Sequence, residues 1–396
     1  MAGHYRKRGK DSYELTYRGK SRTVKAGSDR EVERALAAFI VEVDSGKFRR
    51  PTTLTVKQFI EERWMRDYVN VNLAPGTMNV YKIYINSRII PLLGHLKLDK
   101  VKPVDLLDFY SNLKEDGVRE DKKPGALSPA TIQKYHHILS SMFRCAVEWQ
   151  FIDDNPASRV KPGKIPKKRP FSLDEQQTAT LFSALANEPL KYRVLATLAI
   201  FTGLRRGELL GLTWANVNLE QNIIRVEQTS QHISGIGIYQ KDPKTDMSKR
   251  VVAIPKSLNP LLERHRAEQL KQQSKHSDKW VENDLLFRQW NGKPMHPNTV
   301  DNWINKFKED NSLPDELTFH GLRHTAATMM IIHGIDIGTV AKNLGHAKPS
   351  TTTDIYYASL LSAQRVAAEK MDELFGLHLP NLLDKPVNTH RKNPRP

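Results

Sequence analysis

Hydrophobic and polar positions alternate near the start of this chain and recur at helical spacing further along. Residues 13–18 alternate between polar and apolar, a Gly-Lys turn follows, and residues 21–25 alternate again, which predicts antiparallel strands. Ser28, with an acidic residue three positions later, has the pattern of a capping box and precedes a predicted helix over 31–41. We therefore expect residues 1–52 to form a small module, a three-stranded sheet with one helix.

From residue 53 to 158 the apolar positions instead recur at helical spacing. Short polar turns separate four predicted helices: Val56–Tyr68, Ala74–Ile90, Pro103–Lys114 and Ser128–Trp149. The stretch 156–170 follows, with four prolines, six basic residues and no acidic one. Prolines keep such a segment extended, and its basic side chains can bind phosphates. We therefore expect residues 159–170 to be a linker that contacts DNA. A plain solvated linker is the alternative.

Residues 171–378 are predicted to form a larger domain in which helical spacing dominates. Ser172–Glu175 predicts a helix start, and 192–202 is mostly apolar, which indicates a buried helix. Three strands are predicted between the helices, at 222–228, 233–240 and 250–255. Residues 379–396 are expected to be a flexible tail. The predicted fold class is multidomain and mainly α with small β-sheets, and the last domain is α-rich with a small antiparallel sheet.

The composition of the 396 residues adds a polyanionic partner to this picture. Lys and Arg number 61 against 44 Asp and Glu, which gives a net charge of +17, and nucleic acid is the commonest such partner. No apolar run approaches the roughly 18 residues of a membrane span, and MAGHYRKRGK lacks the apolar stretch of a secretion signal. The lone Cys145 excludes an intrachain disulfide and a multi-cysteine zinc site. It is expected to be a small buried residue in a reducing cytoplasm.

Six polar residues in the C-terminal half offer a set of groups for chemistry on a phosphodiester. They are Arg205, Lys244, His320, Arg323, His346 and Tyr356. Arginine can fork onto phosphate oxygens, lysine and histidine can move protons, and tyrosine can attack phosphorus. Together they could break and rejoin DNA without metal or water. Taken one at a time, each has a plainer interpretation, such as a surface arginine, a solvated lysine or a packed tyrosine.

Local sequence patterns place these residues at the ends of elements and on one helix face. Gly203 lets the chain turn after the buried helix, so that Arg205 begins a new helix with Glu208 one turn on. Lys244 lies in the turn between two predicted strands, at a hairpin tip. The His320 side chain shares a helix face with the arginine three positions later, beside an apolar run that would anchor both.

The last two residues follow a helix that Gly345 is predicted to end. His346 comes directly after that glycine, and Tyr356 comes ten residues later. A tyrosine has an ordinary pKa near 10, so its attack at neutral pH needs a base and nearby positive charge. His324, His333 and His346 raise the possibility of a metal site, but no His/Asp/Glu triplet has the compact spacing of one, so no metal is expected.

Five motifs around these residues resemble those of the tyrosine recombinase (phage integrase) family, in the family's order. TGLRRGELLGLTW resembles its first-arginine motif, PKTDMSKRVVAIP its β-hairpin lysine motif, and FHGLRHTAAT its His-x-x-Arg motif. NLGH resembles the second-histidine motif and TTTDIYYAS the nucleophile segment. The resemblance extends along the chain: residues 1–52 look like an arm-type DNA-binding domain, 53–158 like a helical core-binding domain, and 171–378 like the catalytic domain.

The resemblance implies roles for the residues that would hold the phosphate and protonate its leaving group. Arg205 matches the first family arginine, rather than Arg206, because it follows Thr-Gly-Leu directly. Together with Arg323 it would bind the non-bridging phosphate oxygens, and Glu208 would support the site. Lys244 would be the general acid that protonates the leaving 5′ oxygen.

The resemblance also implies a nucleophile and its helpers. Tyr356 would form a 3′-phosphotyrosyl bond, while His320 or His346 would assist in proton transfer. The family often has histidine two residues after the nucleophile, where this chain has Ala358. Tyr357 offers a second hydroxyl, but the threonine-rich lead-in and the preceding Asp-Ile favour Tyr356.

The activity that this resemblance implies is site-specific recombination, with integration and excision of a mobile element such as a phage or an integrative transposon. It implies no cofactor. The implied partners are double-stranded attachment-site DNA, a homotetramer on that DNA, an excisionase and a DNA-bending host protein, in a bacterial cytoplasm with nucleoid association on DNA. Residues 360–375 could dock on a neighbouring copy or pack on their own domain.

Three other classes of protein are alternatives to a recombinase. A type IB topoisomerase-like DNA relaxer would use similar chemistry, but the basic N-terminal module favours a site-specific recombinase. A non-enzymatic DNA-binding regulator would not need the six residues together. A metal-dependent nuclease would need a carboxylate cluster, and the sequence offers none.

Overall fold

The computed structural model describes residues 3–45, 53–121, 123–166, 170–241, 249–346 and 349–375. Its chain divides into two compact units, residues 1–167 and 168–396. The first unit holds the N-terminal sheet and the helical domain that follows it. The second holds five of the six candidate residues, Arg205, His320, Arg323, His346 and Tyr356, within its described ranges. None of the helices in the described ranges is long and apolar enough to cross a membrane.

The N-terminal module is the predicted three-stranded sheet with one helix. Strands β1 (His4–Gly9), β2 (Ser12–Tyr17) and β3 (Lys20–Lys25) pair antiparallel in that order, and helix α1 spans Asp29–Asp44. Alternation along β2 buries Tyr13, Leu15 and Tyr17 against Val32 and Phe39 of the helix. The Ser28 side chain caps α1 by accepting a hydrogen bond from the Glu31 backbone N–H. The period of two therefore marked the buried face of this sheet correctly.

All four helices predicted between residues 53 and 158 are present. Helix α2 (Val56–Phe59) runs through a π-helical stretch (Ile60–Val69) into α3 (Asn70–Asn72), and α4 (Pro75–Tyr84) runs through Ile85–Ile89 into α5 (Ile90–Leu93). Helices α6 (Pro103–Asn112) and α7 (Pro129–Glu148) complete the domain. Their apolar faces form one core that contains Trp64, Phe143 and the fully buried Cys145. The burial predicted for the cysteine is confirmed.

The second unit begins with two helices that lead to the candidate site. Helix α8 (Glu175–Leu185) begins within the predicted segment 172–175 and is capped by Asp174, whose side chain accepts a hydrogen bond from the Gln177 N–H. Helix α9 (Leu190–Thr202) is buried along most of its length, as its apolar composition predicted. Gly203 ends it with a φ of 64°, a left-handed conformation that glycine adopts without strain.

The strands of this unit form two small antiparallel sheets. Strands β4 (Val217–Asn218), β5 (Ile223–Val226) and β8 (Arg250–Ala253) pair in that order, and β6 (Thr229–Ile233) pairs with β7 (Gly237–Lys241). The single strand predicted over 233–240 is wrong. Gly235 and Gly237, with φ values of 82° and 95°, let the chain reverse there and form a hairpin.

The connection that carries Lys244 lies in residues 242–248, outside the described ranges. Among the described residues, β7 pairs with β6 and β8 pairs with β5. The connection therefore leads from one sheet to the other, whereas the sequence had suggested the tip of a hairpin between adjacent strands. The placement predicted for Lys244 itself stays a prediction.

Further helices of the second unit follow in its described residues. They are α11 (Asn259–Lys275), α12 (Pro297–Asp310), α13 (Phe319–Ile332), α14 (Ile337–Leu344) and α15 (Pro349–Phe375), while the short α10 (Arg206–Gly211) precedes the sheets. Helix α13 is central, because Phe319, Leu322, Ala326 and Ala327 are all buried. The predicted tail, 379–396, lies outside the described residues.

Helix α15 contains a break at one residue. Tyr356 has non-helical backbone angles, φ −107° and ψ 22°, inside an otherwise helical segment. Near the C-terminal end of α15, Met371, Leu374 and Phe375 are exposed. The side chains of Leu361 and Val366, which lie in the predicted docking segment 360–375, are outside the described part of the chain.

Candidate active site

The position of Arg205 is set by the turn that the chain makes at Gly203, directly after α9. Arg205 has extended backbone angles directly before α10, and its backbone N–H donates to Glu208 Oε2 at 2.8 Å. Its guanidinium Nη1 donates to the other carboxylate oxygen, Oε1, also at 2.8 Å. Glu208 therefore orients both the backbone and the side chain of this arginine. The Arg205 side chain remains 41% exposed, so part of its guanidinium can meet a ligand.

A third arginine, which the sequence analysis missed, completes the support of Glu208. Arg250 begins β8, its side chain is only 4% exposed, and its Nη2 donates to Glu208 Oε2 at 2.9 Å. Burial alone raises the pKa of the Glu208 carboxyl, but the hydrogen bond and charge of Arg250, followed by those of Arg205, outweigh it and hold that pKa below its usual value. Glu208 is thus a buried carboxylate shared by two arginines.

The C-terminal end of α14 brings three arginines together. Arg250 Nε donates to the carbonyl oxygen of Asn343 at 2.7 Å, Arg323 Nη2 to that of Leu344 at 2.7 Å, and Arg205 Nη2 to that of Gly345 at 3.2 Å. The last carbonyls of a helix lack intrahelical partners and carry the negative end of its dipole, so they attract cations. We call residues 343–345 the carbonyl end. Because each arginine takes a different carbonyl, the carbonyl end sets their spacing.

Arg323 is the most deeply held member of this group. It is buried on α13, and its Nη1 donates to the carbonyl oxygen of Gly203 at 2.6 Å, so it also joins α14 to the turn that precedes Arg205. Burial, followed by the positive charge of Arg205, lowers the pKa of Arg323 to about 9. The guanidinium therefore still carries its charge at neutral pH, in surroundings where a phosphate would be a favourable counter-ion.

The two predicted histidines take different positions around these arginines. His346 follows the carbonyl end directly, and its Nδ1 lies 2.8 Å from Thr352 Oγ1 of α15. Burial, then the charges of Arg323 and Arg205, lowers the pKa of His346 to about 4. His320 lies exposed at the start of α13, and burial of part of its ring together with Arg323 lowers its pKa as well. Both are therefore neutral at pH 7.

Tyr356 lies buried beside α13, with only 4% of its surface exposed. Its ring packs in a cluster with Ala327, Ile331 and Leu344. Its hydroxyl oxygen lies 2.7 Å from Nδ1 of His324, a contact that the sequence analysis did not foresee. Burial raises the pKa of Tyr356 to about 12, although the charge of Arg323 lowers it in part. The hydroxyl is therefore un-ionised at neutral pH.

The structure thus brings together most of the residues selected from the sequence. Arg205, Glu208 and Arg323 are linked through hydrogen bonds to each other or to the carbonyl end, and Tyr356 is close enough to Arg323 to respond to its charge. Lys244 lies outside the described residues. The helical spacing of His324, one turn after His320, could have indicated that residue, whereas Arg250 had only its place in the lysine motif as a signal. Thr352 had none.

The arrangement of the described residues is suited to binding a phosphodiester. Among the residues that the structure describes, no group of three His, Cys, Asp or Glu side chains is placed to hold a metal ion. Two guanidiniums at Arg205 and Arg323 are instead fixed in advance by hydrogen bonds. Preorganised donors of this kind stabilise the charge that develops on phosphate oxygens as the reaction proceeds.

We expect Glu208→Gln to destabilise the catalytic unit by about 3 kcal/mol at pH 7, because it leaves buried Arg250 without its counter-ion. The pKa of Glu208 is lowered in the folded state. The difference in unfolding free energy between the two proteins should therefore be full above the unfolded pKa of about 4.3, and it should vanish as the pH falls through the folded pKa. Urea unfolding of both proteins at several pH values measures this. Glu263→Gln on the exposed face of α11 is the matched control, and equal effects of the two changes would contradict the prediction.

Both halves of the chain match models of one protein family. Residues 172–362 match the model of the phage integrase family, and residues 55–114 match that of the phage integrase N-terminal SAM-like domain. The chain is 30% identical over 282 residues to a tyrosine recombinase of Thermosipho africanus, an alignment that covers 71% of this chain and 88% of that relative. It is 28% identical over 331 residues to a XerC-like tyrosine recombinase of Caldanaerobacter subterraneus subsp. tengcongensis, covering 79% and 81%.

Among solved structures, the fold is similar to that of the Tn1549 transposon integrase in complex with a circular intermediate DNA. The TM-score is 0.66 at 20% identity, and the match covers 81% of this chain and 100% of that one. Fold, motif order and relatives define an enzyme that breaks and rejoins DNA at specific sites. The chain belongs to the tyrosine recombinase (phage integrase) family. The predicted recombinase class is confirmed, and the relaxer and regulator alternatives are not favoured.

Proposed function

We propose that this recombinase integrates and excises a mobile element, a phage or an integrative transposon, with Tyr356 as its nucleophile. The observation that carries the assignment of the site is the grouping of Arg205 and Arg323 on consecutive carbonyls of the carbonyl end, next to the buried tyrosine. A phosphate bound between the two guanidiniums lies close to the hydroxyl of Tyr356, on which the charge of Arg323 acts. Attack there forms a 3′-phosphotyrosyl bond and releases a 5′ hydroxyl.

The remaining candidate residues take the roles that the family resemblance implies. Lys244 gives a proton to the departing 5′ oxygen, and His320 or His346 assists in proton transfer. Glu208 holds Arg205 through its backbone N–H and its guanidinium. Because the covalent bond conserves the energy of the broken phosphodiester, the reaction proceeds without a cofactor, and a 5′ hydroxyl of a partner duplex reverses it to give strand exchange.

The domains divide the recognition of DNA among them in this proposal. Residues 1–52 bind arm-type sites, 53–158 bind the core site, 159–170 link them to the catalytic residues 171–378, and 379–396 form a tail. The N-terminal module has 13 Lys and Arg against seven Asp and Glu in residues 1–50, which favours a polyanion. The sheet with one helix is a shape that can enter a DNA groove.

Strand exchange between two duplexes requires four active tyrosines, so we propose a homotetramer assembled on double-stranded attachment sites. Each duplex is cut in both strands, and each cut uses one protomer. The exposed apolar side chains Met371, Leu374 and Phe375 at the end of α15 are suited to contact a neighbouring copy. An excisionase and a DNA-bending host protein set the direction of the reaction, which takes place in the bacterial cytoplasm on nucleoid DNA.

Covalent capture tests this function. The full chain is incubated in excess EDTA with DNA that carries the flanks of its own gene, then denatured, and the attached DNA is sequenced. We expect adducts through a 3′ phosphate at one discrete site per strand. Adducts spread over many unrelated sites would indicate a relaxing enzyme, and cleavage that EDTA abolishes would indicate metal-dependent chemistry.

A further inference from the structure

The hydroxyl of Tyr356 has a hydrogen-bond partner to which the roles above assign no function. His324 Nδ1 lies 2.7 Å from the Tyr356 oxygen, and the two rings are 5.7 Å apart. A general base must lie within hydrogen-bond reach of the proton that it removes. We propose that His324 is a catalytic residue that accepts the proton of the Tyr356 hydroxyl as the tyrosine attacks DNA. This inference rests on the assignment of Tyr356 as nucleophile.

The other two histidines of the site are placed for different contacts. His346 uses its Nδ1 for Thr352 Oγ1, and His320 lies exposed with its ring edge-on to His324 at 4.8 Å. Within the part of the chain that the structure describes, His324 is the histidine that contacts the nucleophile. Direct removal of the tyrosine proton therefore falls to His324, and the proposed help in proton transfer from His320 or His346 comes from beside it.

The position of His324 follows from simple helix geometry. It lies one turn after His320 on α13, so the two rings share a face of that helix. Its neighbour Arg323 points to the carbonyl end, while His324 points to α15 and meets the tyrosine at the break in that helix. One helix thus supplies a phosphate ligand and a proton acceptor at adjacent positions.

The protonation states agree with this role. Burial, then His320, Arg323 and His346, lowers the pKa of His324 to about 4, so its ring is neutral at pH 7 and can accept a proton. The groups that face it are His320 and Arg323 on α13, His346 after α14, and Tyr356 on α15. A phosphate bound at Arg323 adds negative charge beside the ring, and this raises the pKa of His324 when DNA is present.

The step balances as a single displacement at phosphorus. The bond between Tyr356 Oη and phosphorus forms, the hydroxyl proton passes to His324 Nδ1, and the bond from phosphorus to the 5′ oxygen breaks. Lys244 supplies the proton that the 5′ oxygen takes. When a 5′ hydroxyl rejoins the strand, its proton passes back to Lys244, the bond between phosphorus and Tyr356 Oη breaks, and His324 returns its proton to the departing tyrosine.

Single-turnover cleavage of a nicked duplex that traps the covalent adduct tests the inference. With His324→Ala in the full chain we expect the rate at saturating DNA to fall by at least about 10²-fold. DNA affinity should stay normal, which reports that the protein is folded. His333→Ala is the matched control, because His333 is exposed at the end of the same helix, and its rate should equal that of the unchanged protein.

Two readouts separate a proton acceptor from a structural residue. Added imidazole should restore the His324→Ala rate by roughly tenfold or more, and more basic imidazoles should restore it better. The rate of the unchanged protein should fall at acidic pH as His324 takes up a proton. His324→Asn, which keeps a hydrogen-bonding group but cannot take the proton, should be slow and should lack that acidic limb.

A 5′-phosphorothiolate substrate, whose leaving group needs no proton, distinguishes the acceptor from the general acid. It should rescue Lys244→Ala and leave His324→Ala slow. A normal rate in either His324 variant, a loss that imidazole does not restore, or rescue by the phosphorothiolate would each overturn the inference. Adducts that persist in Tyr356→Phe would instead overturn the proposed function, so the two failures are distinguishable.

Discussion

Replacing Tyr356 with phenylalanine is expected to abolish covalent protein–DNA adducts and to leave DNA affinity unchanged. The change removes one oxygen atom, and the ring continues to fill the space between Ala327, Ile331 and Leu344. The lost hydrogen bond to His324 should lower the free energy of unfolding by only about 1 kcal/mol. A denaturing gel of the trapped adduct measures the first effect, and a mobility shift on the same duplex measures the second.

Tyr357→Phe is the matched control for this change, because it removes the same atom from the adjacent residue. We expect it to form adducts at a rate close to that of the unchanged protein. The structure places the Tyr356 hydroxyl near Arg323 and His324, which favours it as the nucleophile. If Tyr357→Phe lost the adduct and Tyr356→Phe kept it, the nucleophile would be the second tyrosine.

The raised pKa of Tyr356 explains why several groups are needed around one hydroxyl. At about 12 it leaves almost no phenolate at neutral pH, so attack depends on removal of the proton during the reaction. In the proposed mechanism both arginines add positive charge that stabilises the forming bond, and their hydrogen bonds to the carbonyl end hold that charge in place. In the proposed mechanism the contributing groups come from the residue before α10, from α13, from the end of α14 and from α15, so no single motif could have been sufficient.

Local patterns in the sequence predicted much of this arrangement. The glycine stops at Gly203 and Gly345, the helix face shared by His320 and Arg323, and the buried apolar α9 all follow from spacing, and the structure contains them. The order of the motifs was enough to indicate the family. Local patterns failed at residues 233–240, where two glycines reverse the chain inside an apparently continuous strand.

Contacts between residues far apart in the sequence could not be predicted from local patterns. Arg250 reaches Glu208 and the carbonyl end across more than 40 positions, and its motif gives no hint that its side chain is buried. His324 meets Tyr356 only because α15 breaks beside α13. Such pairs depend on how helices pack, and a single sequence carries no periodic signal for packing between elements.

The second large effect is expected at two neighbouring arginines that differ only in position. Arg205→Ala should slow single-turnover cleavage by roughly 10²–10³-fold, because it removes one of the two guanidiniums that stabilise the phosphate in the transition state. It should also leave one hydrogen-bond site of Glu208 and the carbonyl oxygen of Gly345 without this partner. Cleavage at saturating DNA, measured with the trapped-adduct duplex, gives the rate independently of binding.

Arg206→Ala is the matched control, since Arg206 turns away and pairs with Asp301 of α12. Its side chain is 35% exposed, close to the 41% of Arg205, so the two changes remove similar surface and equal charge. A partly exposed pair of this kind contributes about 0–1 kcal/mol, and we expect the cleavage rate to change little. Equal losses from the two variants would mean that positive charge near α10, rather than a guanidinium held by Glu208 and the carbonyl end, is what the reaction requires.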